Sequence, residues 1–237
     1  MKFVIIISSI LFAGAVWADN SPTLVSVEAA RAFIPVGFDD NDIVQVTVTG
    51  VFPSNCYKVG PATAVVDPAT LTIQVAQSAY FYGGICLPIL VPFSQTINVG
   101  IAQPGTYQVQ DKVTHRFLGQ LSIARSNNSG PDDYLYAPIT DAYVSNVDKQ
   151  PTLFLNATFT DRCTTMKEIR ILYQQDVIVV QPIVDRVGSS RCGLEMARFQ
   201  YTRPLAVGLQ GTFLLHVRAM SGQAINKIVE IPEVDRP

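Results

Sequence analysis

The sequence predicts an all-β protein made of two tandem β-sandwiches, with one intradomain disulfide in each. Three observations support this prediction: a cysteine pair that recurs at nearly the same spacing, runs in which apolar and polar residues alternate, and turn-forming residues between those runs. Cys56 and Cys86 lie 30 residues apart, and Cys163 and Cys192 lie 29 apart. Similar strand-like sequence surrounds both pairs, which indicates a duplicated domain.

Residues 1–18 have the features of a secretory signal peptide. Lys2 precedes an apolar run from Phe3 to Phe12, and small residues end the segment at Ala18. The apolar run is short for a bilayer span, and no later run of about 18 apolar residues follows. We therefore expect an exported chain, periplasmic or secreted, that starts at Asp19 and has no transmembrane segment after cleavage.

The duplication predicts two domains after the signal peptide. Residues 19–125 form the predicted first domain and residues 136–237 the second. Residues 126–135 form the predicted linker, because they are polar and rich in turn-forming residues. Each domain has roughly 100 residues, enough to bury a modest core.

The four cysteines of an exported chain favour disulfides over metal binding or redox catalysis. Four cysteines allow three pairings, but the duplication of a unit with one pair favours Cys56 with Cys86 and Cys163 with Cys192. Closing a loop of this length stabilises a domain by about 3–4 kcal/mol in the chain-entropy model. A zinc site would need paired C-x-x-C or Cys/His spacing, which the sequence lacks.

Strand patterns follow one another along the chain. Residues 44–49 alternate valine with Gln or Thr, and residues 71–75 alternate aliphatic residues with Thr or Gln. Leu153, Leu155 and Ala157 repeat this pattern in the second half. Each run predicts a strand with one buried face, and no segment has a convincing helical period.

One corner of the sequence resembles immunoglobulin-like (Ig-like) domains. Residues 97–109 resemble an E strand, an E–F corner and an F strand, in which a Gly turn precedes a tyrosine, here Tyr107, whose hydroxyl ties the corner to the backbone. Residues 205–215 keep the Gly-Thr-aromatic step but have Phe213 at the aromatic position. In architecture the chain resembles exported bacterial proteins with tandem Ig-like β-sandwich domains.

The cysteines depart from the antibody pattern, in which two cysteines bridge strands B and F around a buried Trp. Cys86 lies well before Tyr107, so its disulfide is expected to tie an earlier strand or loop. Two Ig-like domains in one exported chain also resemble periplasmic pilus chaperones. Here, however, the halves are alike, each has a cysteine pair, and no long alternating hydrophobic strand lies beside an Arg-Lys pair.

Tyr80, Phe81 and Tyr82 form the best candidate binding surface. Successive strand side chains point to opposite faces, so at least one of these rings is expected to be exposed. Exposed aromatics on a disulfide-pinned loop are typical of protein anchors and sugar platforms. In the alternative interpretation, Phe81 packs in the core and the tyrosines flank it. The second half has residues 185–190 at this place, without aromatics, so the role would belong to the first domain alone.

Asp39, Asp40 and Asp42 form the sharpest acidic cluster. Carboxylates on a loop can bind Ca²⁺ through hard oxygen ligands, and Asp132 and Asp133 could add ligands if folding brought them together. The alternative is a solvated turn before the strand at residue 44. The second half lacks an equivalent cluster, so no other metal site is expected.

Composition and motifs weigh against two classes of function. The formal net charge is only −2, from 17 basic and 19 acidic residues without a clustered basic face, so nucleic acid is not an expected partner. No nucleophile elbow, zinc helix, phosphate loop or dinucleotide fingerprint occurs. His115 and His216 occupy non-equivalent places in the two halves. We therefore expect no catalytic site and no cofactor.

These features predict an exported, non-enzymatic binding or scaffolding protein that presents loops to a protein or glycan partner in the envelope or outside the cell. Two alternatives stay open. The chain could inhibit a secreted enzyme, with residues 80–84 as the wedge that enters a cleft, or it could be a carbohydrate-binding module that uses the same aromatics.

Overall fold

The structure is a computed structural model that describes residues 21–127, 132, 134–188 and 192–233. The predicted signal peptide lies outside these residues. Strands dominate the described residues, as predicted for an all-β protein, and the one helical element among them is a 3-10 turn at Met220–Gly222. None of these residues belongs to a helix with the length and apolar character that crossing a membrane requires.

The strands are β1 (Thr23–Val27), β2 (Arg31–Phe33), β3 (Phe38–Asp39), β4 (Val44–Phe52), β5 (Tyr57–Asp67), β6 (Thr72–Phe81), β7 (Val91–Gly100), β8 (Gly105–Asp111), β9 (Phe117–Ala124), β10 (Ile139–Val147), β11 (Gln150–Asp161), β12 (Thr164–Gln174), β13 (Val177–Arg186), β14 (Leu194–Pro204), β15 (Gly211–Ala219) and β16 (Gln223–Ile231).

Strand pairing repeats in the two halves of the chain. In the first half, β2-β4-β7 form one sheet, and β1-β6-β8-β9-β3 form the other, with β5 also paired to β6. In the second half, β10-β11-β14 form the corresponding small sheet and β12-β13-β15-β16 the corresponding large one. The same parallel pair recurs, as β6 with β8 and as β13 with β15. The duplication seen in the sequence is therefore a duplication of topology.

The core of the first half follows the predicted alternation. Val44, Val46 and Val48 of β4 are fully buried and belong to one apolar cluster with Ile73 and Val75 of β6. Because β4 and β6 belong to different sheets, this cluster holds the two layers of a β-sandwich together. The second half is built likewise on a core that contains side chains of β11, β13 and β15.

Both disulfides pair as predicted. Cys56 is bonded to Cys86 with a Cα–Cα distance of 5.5 Å, and Cys163 to Cys192 with 5.6 Å. Cys56 lies between β4 and β5, and Cys163 lies at the equivalent place between β11 and β12. Cys86 precedes β7, and Cys192 precedes β14. Each disulfide thus ties loops at one end of the sandwich, as the spacing from Tyr107 led us to expect.

The two halves are packed against each other. Phe33 of β2 lies in an apolar cluster with Val177 and Val179 of β13 and Leu214 of β15. The large sheet of the second half is therefore covered on both faces, which explains why residues 177–184 of β13 are all buried and do not alternate between buried and exposed. Thr47 of β4 is also buried, on the face that alternation would leave in water, and its hydroxyl bonds to the Thr96 hydroxyl at 2.9 Å.

Polar contacts cross the same interface. The side-chain amide of Asn226 donates to Gln45 Oε1 at 2.7 Å, and Arg31 Nε donates to Asp176 Oδ2 at 3.0 Å. These pairs join β16 to β4 and β2 to the turn before β13. The halves therefore contact each other through matched apolar and polar groups as well as through the connecting chain.

Candidate functional site

The segment between β6 and β7 is the most exposed apolar part of the first half. We call residues 82–90 the cystine loop, because Cys86 within it is bonded to Cys56, the residue just before β5. Four aliphatic side chains of this loop are more than half exposed: Ile85 (97%), Leu87 (55%), Ile89 (51%) and Leu90 (76%). Exposed apolar side chains gathered in one place mark an interaction surface in soluble proteins.

An aromatic stack anchors the base of the loop. Phe81, the last residue of β6, packs on Tyr57 with ring centroids 5.0 Å apart, and Tyr57 stacks on Phe52 at 5.7 Å. Phe52 continues the stack to Phe93 of β7 at 4.6 Å. Both strands that flank the cystine loop therefore enter a rigid, packed base.

Hydrogen bonds hold the loop beside the disulfide. The Leu87 amide donates to Asn55 Oδ1 at 2.9 Å, and the Tyr82 amide donates to the Cys56 carbonyl at 2.9 Å. Gly84 has a φ of +123°, a backbone conformation that side chains disfavour, so glycine is needed at this turn. The covalent and polar ties together fix the direction in which the loop projects.

The three predicted binding residues lie at the edge of this loop. Tyr80 and Tyr82 are each 38% exposed, whereas Phe81 is half-buried on the aromatic stack. Lys58 Nζ lies 5.4 Å from the centroid of the Tyr82 ring. Phe81 packs inward, as in the alternative interpretation of the sequence. Both tyrosines reach the surface, as a binding surface would require.

The four aliphatic residues of the loop were missed at the sequence level. Two signals could have identified them. Residues 85–91 are apolar without alternation and contain Pro88, which suits neither a half-buried nor a central strand. In addition, no Asp, Glu, Lys, Arg or His occurs between Asp67 and Asp111.

The second half presents a different surface at its own disulfide. Leu194 and Met196 of β14 are 93% and 79% exposed, but charged groups surround them. Arg162 pairs with Glu195, and Arg186 lies 3.7 Å from Asp161. In the sequence, Arg186 and Arg191 precede Cys192, whereas the cystine loop of the first half contains no charged residue.

The acidic cluster near β3 belongs to the interface between the halves. Asp42 is buried, accepts from the Asp39 amide at 3.0 Å and pairs with Arg218 of β15. Asp40 accepts from the Ser126 amide, and hydrogen bonds from Ser126 lower the pKa of Asp40. Among the described residues, which leave out Asp133, no group of three acidic, His or Cys side chains could hold a metal ion. The carboxylates thus have structural partners, and the calcium hypothesis gains no support from them.

A small cavity lies beside this cluster, with a volume of about 10 Å³. Phe38, Asp132, His216 and Arg218 contribute to its lining. That volume is about what one water molecule needs, so the cavity is too small for an organic substrate. Burial and the neighbouring carboxylate of Asp42 raise the pKa of Asp132 to about 6.

The two histidines lie in different halves. His216 is buried in β15, bonds through Nδ1 to Asn226 Oδ1 at 2.7 Å, and packs edge-on against Phe38. Burial lowers its pKa to about 4, so the imidazole is neutral at pH 7. His115 lies in the turn between β8 and β9. The geometry of His216 is that of a packed core residue in the interface.

A family model described as the ORF11 beta-sandwich domain matches residues 46–111. These residues run from β4 to the end of β8 and contain the first disulfide and the whole cystine loop. No curated protein and no solved structure matches the chain. The match supports a β-sandwich domain in the first half.

Proposed function

We propose that this chain is an exported, non-enzymatic binding protein that presents the cystine loop of the first of two tandem Ig-like β-sandwiches to an envelope or extracellular partner. One observation carries the proposal: four aliphatic side chains are exposed to solvent on a loop that a disulfide and an aromatic stack hold in place. Exposing them costs solubility, so their retention in a rigid loop is best explained by a partner that covers them.

The Ig-like part of the proposal is supported by the corner at β8. The Tyr107 hydroxyl donates to the Gln103 carbonyl at 3.0 Å, and the ring is fully buried. This is the contact that the resemblance to Ig-like domains implies. The repeated strand pairing of the two halves supports a tandem arrangement.

Export is supported by the disulfides and by the predicted signal peptide. Disulfides form and persist in oxidising compartments, and both cysteine pairs of this chain are bonded. The non-enzymatic part is supported by the roles of the titratable groups. Asp42 pairs with Arg218 across the interface between the halves, and His216 bonds to Asn226 of the neighbouring strand β16, so these groups have structural partners.

The test is crosslinking capture from envelope and secreted fractions with purified mature protein. An Ile85→Ser, Leu87→Ser double variant removes two exposed side chains of the cystine loop. A Leu194→Ser, Met196→Ser double variant is the matched control, because it removes two side chains that are also more than half exposed, beside the other disulfide. We expect wild type and control to capture the same component and the loop variant to lose it. Equal capture by all three proteins would refute the proposal.

An inhibitor function is the first alternative. A projecting loop pinned by a disulfide suits entry into an enzyme cleft, since little conformational entropy is lost on binding. Residues 80–84 and the adjacent aliphatics would form the wedge. Loss of activity of a secreted hydrolase on addition of wild type, but not of the loop variant, identifies this function.

A carbohydrate-binding module is the second alternative. Tyr80, Phe81 and Tyr82, the rings that the sequence predicts for this function, do not line the groove of about 740 Å³ beside β1. Tyr57, Glu28 and Arg116 contribute to its lining instead. An aromatic ring with neighbouring polar groups is the usual composition of a sugar site. Retention on a polysaccharide column that the Tyr57→Ala variant loses, and that the cystine-loop variant keeps, identifies this function.

A further inference from the structure

The chemistry of the cystine loop identifies the class of its partner. The exposed groups of Ile85, Leu87, Ile89 and Leu90 are hydrocarbon, and they offer no side-chain hydrogen bond to a partner. Anchor residues in protein interfaces are mainly Trp, Tyr and Arg, with Leu under-represented. Sugar sites need polar groups around an aromatic ring. A hydrocarbon surface is the partner that aliphatic side chains fit best.

The charge pattern agrees with an electrically neutral partner. The stretch without any charged or His residue extends from Asp67 to Asp111 and includes the whole loop and both flanking strands. The formal net charge of the chain is −2, so attraction to anionic lipid headgroups is not favoured. A zwitterionic lipid surface matches both the uncharged loop and the weakly acidic remainder.

The flanks of the loop have the residues that prefer a membrane interface. Tyr80 and Tyr82 are partly exposed, and amphipathic rings of this kind concentrate at the level of lipid headgroups. Lys58 lies over the Tyr82 ring, where its long aliphatic chain can lie along apolar surface while the amine stays hydrated. The aliphatic side chains thus suit the acyl region, the tyrosines suit the headgroup level, and the lysine amine suits the adjoining water.

The backbone of the loop limits how deeply it can enter. Residues 82–90 form neither a helix nor a strand. Irregular backbone is not tolerated in lipid-exposed hydrocarbon, because its N–H and C=O groups would lose their water partners. The backbone would therefore stay among the headgroups while the side chains reach the acyl chains.

We propose that the cystine loop inserts its aliphatic side chains into the interface of a zwitterionic lipid bilayer and so attaches the protein to a membrane surface. This inference rests on the proposed function and names the partner of the same loop. The disulfide to Cys56 keeps the side chains projecting outward, which lowers the entropic cost of insertion.

A single tryptophan within the cystine loop tests the insertion directly. The chain's one Trp is Trp17, within the predicted signal peptide, so mature protein carries no competing signal. A Leu87→Trp variant is mixed with phosphatidylcholine vesicles, and a Leu194→Trp variant serves as control. We expect a blue shift and quenching by brominated acyl chains for Leu87→Trp only. An unchanged emission of Leu87→Trp, or an equal shift of both variants, overturns the inference.

Vesicle flotation gives a second measurement that needs no reporter. We expect wild type to float with phosphatidylcholine vesicles and the Ile85→Ser, Leu87→Ser variant to partition at least about tenfold less, since two aliphatic side chains no longer leave water. The Leu194→Ser, Met196→Ser control should float as wild type does. Raising NaCl from about 0.05 to 0.5 M should leave the partitioning unchanged, because screening acts on charges.

The outcomes separate the two proposals. Equal flotation of wild type and the loop variant, or no flotation of wild type, overturns the lipid inference. If wild type does not float but captures an envelope protein or glycan that the loop variant loses, the proposed function stands without it. If the loop variant behaves as wild type in both experiments, both proposals are refuted.

Discussion

Arg218 and Asp42 form an ion pair that is buried between the two halves of the chain. Arg218 Nη1 lies 3.1 Å from Asp42 Oδ2, and the side chains are only 7% and 4% exposed. The same guanidinium lies over the Phe38 ring at 4.8 Å and donates to the Gly37 carbonyl. A charge from the second half is thus desolvated among residues of the first, which makes the pair a sensitive probe of how the halves are packed.

Removing Arg218 should destabilise the protein strongly. An Arg218→Met variant leaves the Asp42 carboxylate buried without its partner, and such a change costs about 3–5 kcal/mol. The control is Arg31→Met, which breaks the partly exposed pair with Asp176 and should cost about 0–1 kcal/mol. Urea denaturation measures both free energies of unfolding. Equal losses would show that the Asp42 pair is no more buried than the Arg31 pair.

Asp132 should make stability fall as pH rises between about 4 and 6. Burial and the nearby Asp42 raise its pKa in the folded protein to about 6, so between the unfolded and folded pKa values the folded state holds the extra proton. The lowered pKa of buried His216 acts in the opposite direction over the same range. Arg218 and Asp39 are the other charged groups that face Asp132.

The contribution of Asp132 is isolated by comparison with an Asp132→Asn variant. Thermal unfolding of both proteins is followed from pH 4 to pH 8. We expect the melting temperature of the variant relative to wild type to rise from about pH 4 up to the folded-state pKa of about 6 and then to level off. A constant difference in melting temperature across this range would contradict the raised pKa.

The Tyr107 corner should contribute measurably to stability. A Tyr107→Phe variant keeps the buried ring and removes only the hydroxyl that donates to Gln103. The expected loss is ~1 kcal/mol, the usual net value of one hydrogen bond. Tyr143→Phe, at a partly exposed ring, is the control and should change stability by less than ~0.5 kcal/mol. Chemical denaturation measures the free energy of unfolding of both variants. Indistinguishable values would show that the Tyr107 hydroxyl contact does not contribute to stability.

The two disulfides should contribute equally to stability, but only one of them should be needed for binding the partner. Replacing either pair with alanine frees a loop of similar length, so each variant should lose about 3–4 kcal/mol in the chain-entropy model. Only the Cys56→Ala, Cys86→Ala variant should also lose capture of the partner, because only that disulfide holds the cystine loop. The Cys163→Ala, Cys192→Ala variant is the matched control. If both disulfide variants lost capture, the cause would be lower overall stability rather than release of the cystine loop.

Much of the fold could be predicted because its signals are local or duplicated. The alternation at residues 44–49 comes from one face of β4, and the disulfide pairing follows from the repeat. The Tyr107 hydroxyl contact depends on a turn of four residues. None of these predictions required knowledge of how distant parts of the chain meet.

What could not be predicted depends on the packing of the two halves and on exposure. Asp42 reads as part of a solvated acidic turn, because its partner Arg218 lies on the other half of the chain. The apolar composition and Pro88 argue against a half-buried strand at residues 85–91, but the sequence pattern alone does not show that the side chains of this loop are exposed. The three predicted aromatics lie at the end of β6 beside this loop, but they are less exposed than its aliphatic side chains.

The most direct measurement of the central claim, that the cystine loop is the binding surface, places a photo-crosslinking side chain at position 85 or at position 196 of the mature protein. Each protein is irradiated with envelope and secreted fractions, and the adducts are analysed by mass spectrometry for protein, glycan and lipid. The account predicts a specific adduct at position 85 that is absent at position 196. Adducts at position 196 alone, at both positions equally, or at neither would contradict it.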